Sequence, residues 1–91
     1  MSEDTRGNVL LEAHKIVNGE RQDQYGNPEN NFNRIASYWS IYKGESFTAH
    51  DVAMMMALLK VARIQSGSAT EDSYKDLCGY VALAADIGGK K

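Results

Sequence analysis

Lys60 and Arg63 stand one helical turn apart near the end of the apolar stretch HDVAMMMALLKVARIQSG, residues His50 to Gly67. Two cations on one face of a helix can grip an anion, a phosphate or a carboxylate. Charges set into an apolar helix are costly unless paired or used, so what they meet is the central question. Asp72 and Asp76 are spaced i, i+4 and repel each other as like charges on one face, which favours a shared cation partner. Lys75 does not easily reach both. If the helix with the acids folds back antiparallel on the helix with the cations, Asp72 and Asp76 lie beside Lys60 and Arg63. That cluster is either a structural salt-bridge network or the edge of a site. A magnesium site is a third form, but Mg²⁺ usually needs carboxylates and phosphate oxygens around one point.

A second group of candidates lies in the polar connection ERQDQYGN, residues Glu20 to Asn27. It gathers charge, amides, an aromatic and a glycine, and loops held by rigid helices commonly bear sites. Its plainer reading is a solvated linker that ends in an Asn-Pro cap. Arg21 suits a phosphate, Tyr25 suits stacking on a base, and Asn27 and Asn31 suit ribose or base edges. Other chemistry finds little support. Neither a Ser-His-Asp nor a Cys-His arrangement can be argued, and no glycine-rich loop opens a helix in a phosphate-binding pattern. Asp51 reads as a helix cap, His50 and His14 as ordinary helix residues, and Met54, Met55 and Met56 as core filler.

Four helices are needed to position these residues. The first spans about Asn8 to Asn18, with Val9, Leu10, Ala13, Ile16 and Val17 on one face and Gly19 as the stop. Asn27–Pro28 caps and starts the second, which runs to Lys43 before Gly44 and carries the stripe Phe32, Ile35, Ala36 and Trp39. Thr48 with Asp51 three residues on is a capping box for the third. Its run from Val52 to Leu59 is apolar on all sides, which implies burial on all sides. The fourth begins near Thr70 or Asp72 and ends at Gly88–Gly89, with Tyr74, Leu77, Cys78, Val81, Ala84 and Ala85 expected inward. Gly79, Ala82 and Ala85 let it approach a neighbour closely. No segment alternates as a strand should. The fold expected is all-α, a compact four-helix domain over residues 1–91 with a central antiparallel hairpin and flexible ends at 1–7 and 88–91.

At 91 residues the chain is one domain near the size where a single core barely suffices, so self-association is expected. Its net charge of −2, without a basic stripe, argues against general nucleic-acid binding. One cysteine, Cys78, makes no internal disulfide. The polar start MSEDTRGN does not read as a signal peptide, and no apolar run approaches a membrane span. A cytoplasmic location is expected, in the bacterial host if the gene is a phage's.

The segments EAHKIVNGERQDQYGNPENNF, RIASYWSIYKG, TAHDVAMMMALLKVARIQSG and EDSYKDLCGYVALA resemble a family of small phage and prophage proteins known as a domain of unknown function. Arg21, Tyr25, Gly26, Asn27 and Pro28, the Lys60–Arg63 pair and the Asp72–Asp76 pair carry the likeness. Two wider resemblances suggest activities. MazG-type all-α nucleoside triphosphate pyrophosphohydrolases have a similar helical setting, yet their EExxE and ExxD magnesium groups are not reproduced here. Phage sponge proteins of the Lockin and Sequestin class, which sequester nucleotide signals of defence systems such as Thoeris and CBASS, are similar in size and context. This likeness implies a binder without catalytic residues, using Arg21, Tyr25, Asn27, Asn31, Lys60, Arg63, Asp72 and Asp76. No metal or cofactor is expected, save Mg²⁺ if the hydrolase reading holds. A protein-partner module using the Tyr38–Tyr42 face is a further alternative.

Overall fold

A computed structural model describes residues 3–20, 27–68 and 70–88. Within them the chain forms four helices: α1 (Glu3–Lys15), continued by a π-helical turn (Ile16–Glu20), α2 (Pro28–Lys43), α3 (Ala49–Gln65) and α4 (Glu71–Gly88). No strand occurs among the described residues, and the fold is all-α as expected.

Local chemistry sets the ends of α2 and α3. Asn27 takes extended backbone angles and its side-chain oxygen accepts from the Asn30 N–H at 3.2 Å, with Pro28 in the first turn. Gly44 ends α2 in the left-handed region at φ 70, its N–H donating to the Ser40 carbonyl. A Cβ there would meet nothing within 4 Å. Gly44→Ala should therefore cost only the backbone strain, about 1 kcal/mol, measurable as a lower urea midpoint with an unchanged slope. Thr48 and Asp51 form the reciprocal capping box: Asp51 N–H donates to Thr48 Oγ1 at 3.1 Å, and Thr48 N–H to Asp51 Oδ2 at 2.9 Å. Between these helices the Phe47 N–H donates to Ser40 Oγ at 2.9 Å, and the Trp39 and Phe47 rings meet edge to face at 6.2 Å.

The order of packing is α1 on α4, α4 on α3, α3 on α2, with the α3–α4 hairpin at the centre. Contacts fix the directions. Lys60 meets Asp76 and His50 meets Gly88, so α3 and α4 are antiparallel. Asn8 bonds Glu71 and Val17 lies by Gly79, so α1 runs parallel to α4. The Phe32 ring sits 6.3 Å from that of Tyr80, which ties α2 to α4 as well.

Three expectations need revising. Helix α1 begins at Glu3, earlier than its apolar periodicity indicated, and closes in a π-helical turn. Helix α4 keeps Ala84 buried and Leu77 and Cys78 half-buried as expected, but Ser73 and Gly79 are buried too, while Tyr74, Val81 and Ala85 turn outward. Close helix contact selects small side chains over large ones, and α4 follows that rule. At Gly79 a Cβ would lie 3.4 Å from Val17 Cγ1, an ordinary contact, so α1 approaches closely without demanding glycine. The largest revision concerns α3. Ala49, Val52, Ala53 and Ala57 are buried, but Met54, Met55, Leu58 and Leu59 face outward.

Candidate functional site

Lys60 and Asp76 meet across the hairpin. Lys60 Nζ lies 3.1 Å from Asp76 Oδ2, and their side chains are only 17% and 12% exposed. The pair answers part of the central question: the cation set into the apolar helix is neutralised by an acid of α4. Asp72 does not join it. It points outward, and the Lys75 ammonium lies 3.8 Å from both Asp72 Oδ1 and Glu71 Oε1 on the same helix. Asp72 and Asp76 share a face in the helical sense, but Asp76 lies at the edge that α3 covers and Asp72 beyond it. Lys75 thus serves Glu71 and Asp72 rather than the two aspartates together.

Arg63 is exposed in the last turn of α3, and among the described residues no carboxylate pairs with it. Asn27 caps α2 with its oxygen, and Asn31 is half-buried one turn further on. Asn31 precedes Phe32, and Asp76 lies one turn before Tyr80. Both therefore stand on the same side of the Phe32–Tyr80 contact, towards the end of the bundle where α2 and α4 begin and α3 ends. Arg21 and Tyr25 lie outside the described residues. The structure thus brings Lys60 and Asp76 into contact, places Arg63, Asn27, Asn31 and Asp72 at the same end, and pairs Asp72 elsewhere.

This end has a definite electrostatic character. The N-termini of α2 and α4 both point to it, each carrying a partial positive charge. Against that stand Glu71, Asp72 and Asp76, each within ion-pair distance of a lysine. No three His, Cys, Asp or Glu side chains among the described residues converge as a metal-binding group. The arrangement can hold an anion through Arg63 and backbone N–H groups, with the lysines already balanced.

Sequence reasoning passed over a groove between α1 and α4. Its volume is about 530 Å³, and Leu10, His14, Val17, Asn18, Cys78 and Asp86 are among its lining residues. The π-helical turn carries Val17 and Asn18 to it. Asn18 Nδ2 donates to the His14 carbonyl at 3.0 Å and lies 3.1 Å from His14 Nδ1, which fixes the ring. The His14–Asn18 spacing of i, i+4 was the available signal. Among the described residues no lysine or arginine lines this groove, and Asp86 is ten residues from Asp76, about 15 Å along the helix. It is distinct from the cationic end.

Comparisons with known proteins place the chain. A family model described as a domain of unknown function (DUF6378) matches residues 8–88. The Gene 55 protein of Mycobacterium phage L5 is 42% identical over 76 residues, 82% of this chain and 49% of that protein. The Gene 55 protein of Mycobacterium phage D29 is 38% identical over 79 residues, 87% of this chain and 52% of that protein. The chain spans about half the length of the curated relatives it matches. No solved structure matches it significantly. With the family match running from the middle of α1 to the end of α4, and phage proteins among its relatives, the chain belongs to the DUF6378 family.

Proposed function

We propose that this protein binds a nucleotide-derived anion and holds it unreacted, as a phage product that withdraws an immune signalling molecule of the host. The observation that carries the reading is Arg63: an exposed guanidinium with no acid partner among the described residues, at the end where α2 and α4 begin. Planar guanidinium groups recognise phosphate oxygens in pairs, and helix N-termini favour the same charge. Arg21, Tyr25, Asn27 and Asn31 complete the proposed set, for a second phosphate, a base and the ribose. In this reading Lys60 and Asp76 are the braced floor, and Asp72 lies at the rim.

The phage relatives support the setting. The state of the acids favours binding over the runner-up, a MazG-like Mg²⁺-dependent pyrophosphohydrolase. Glu71, Asp72 and Asp76 are each engaged by a lysine rather than turned together.

Titration calorimetry with cyclic ADP-ribose isomers, histidine-ADP-ribose, cyclic dinucleotides and nucleoside triphosphates tests the reading. One of these should bind, and Arg63→Ala should weaken it at least ~10-fold, the loss of one charge-assisted contact, with an unchanged melting curve. Equal affinity in the variant would remove the site from this end of the bundle. Binding to none of the probes would leave the partner-module reading that uses Tyr38 and Tyr42.

A further inference from the structure

The buried apolar residues of the described chain are Val9, Phe32 and Val52 together with alanines, and Val52 is the largest side chain buried completely. That is a thin core. Trp39, Phe47, Met56, Tyr80, Leu83 and Ile87 are among the larger apolar side chains half-buried against it, while others face outward, in one group on α2 (Tyr38, Ile41 and Tyr42) and another on α3. On α3, Met54 and Met55 are 41% and 40% exposed, Leu58 62% and Leu59 44%. They follow one another at i, i+3 and i+4 spacing along a single stripe. The only charge between Asp51 and Arg63 is Lys60, which turns inward to Asp76.

We propose that this outer face of α3 is the interface of a homodimer, with the α3 helices of two copies packed antiparallel. Three features favour a second copy over another occupant. The first is area. At 91 residues a single core barely suffices, and the ~800 Å² that each partner gives to a standard interface would cover the apolar side chains that α3 leaves exposed.

The second is charge. The stripe begins at the acid Asp51 and ends at the base Arg63. Laid antiparallel on itself, as a two-fold interface allows, the stripe keeps the like-charged ends of the two copies apart. A parallel arrangement would oppose like charges. The third is shape. The stripe is built of leucine and flexible methionine with Ala62 beyond, which interdigitate readily between two like helices. The net charge of −2 sets little repulsion against association.

Analytical ultracentrifugation of the whole chain, with Leu58→Glu and Ile41→Glu, tests this. Ile41 is 81% exposed on α2, in the other exposed apolar group with Tyr38 and Tyr42, and serves as the comparison. The wild-type and Ile41→Glu proteins should sediment as dimers, and Leu58→Glu as a helical monomer. A dimer lost in Ile41→Glu but kept in Leu58→Glu would overturn the α3 assignment. A monomeric wild type at high micromolar concentration would overturn the dimer and leave the face to a different protein. Should Leu58→Glu fail to fold alone, wild-type Tm decides: it rises with protein concentration if folding and dimerisation are coupled, and stays constant if they are not.

Discussion

Lys60→Met should lower the unfolding free energy by about 2–3 kcal/mol, the largest effect of any single charge in the described chain. Losing one member of an ion pair costs ~3–5 kcal/mol at complete burial, and the change takes from Asp76 the ammonium 3.1 Å away. The residual exposure of 17% for Lys60 and 12% for Asp76 reduces that figure. A double-mutant cycle with Asp76→Leu isolates the pair. Urea denaturation of the four proteins should give a coupling of about 2 kcal/mol. A coupling under ~0.5 kcal/mol would show that the contact contributes no more than an exposed ion pair. The effect also decides how the site is probed. A loss of ligand binding in a Lys60 variant would confound fold with recognition, and this is why Arg63 is the residue to change.

Phe32→Ala should destabilise by about 3 kcal/mol, the usual range for truncating a buried aromatic. Phe32 is 7% exposed, belongs to the cluster with Ala36, Ala49, Val52, Ala53 and Ala84, and stacks at a tilt on Tyr80 of α4. It joins α2 to the central hairpin. The chain has 91 residues, so total stability is on the order of 5–13 kcal/mol, and this one change removes a large share. Denaturant midpoints and the loss of helical signal on warming would measure it. A cost under ~1 kcal/mol would mean that α2 is held mainly by Trp39, Phe47 and the Ser40 hydrogen bonds at its other end.

What the sequence revealed follows from how local each cause is. Asn27–Pro28, Gly44 and Thr48–Asp51 are caps, which act within a single turn, and they placed α2 and the start of α3 correctly. The antiparallel hairpin also followed from a short connection, and with it the meeting of Lys60 and Asp76. The start of α1 carries no such signal, since Glu3 to Asn8 is polar throughout. The inward face of α4 is legible in part: Ala84 and the small Gly79 point to it, whereas Tyr74 and Val81 mislead because hydrophobicity does not tell which side a neighbouring helix covers. Ser73 and Gly79 lie inside because neighbouring helices come close, while Tyr74 and Val81 remain out. The pairing of Asp72 with Lys75 rather than Arg63 depends on where α3 ends relative to α4, a tertiary fact. The outer face of α3 shows the limit most clearly. An all-apolar run points to burial on every side, yet half of this one faces outward, because a helix's own residues do not say which of its sides the neighbouring helices cover.

The central claim is that a nucleotide-derived ligand is held and not consumed. The most direct measurement is incubation of the bound probe with the purified protein, with and without Mg²⁺, followed by heat denaturation and mass spectrometry of the released small molecule. The intact ligand should be recovered in stoichiometric amount under both conditions. A Mg²⁺-dependent hydrolysis product would contradict it and assign the chain to the hydrolases.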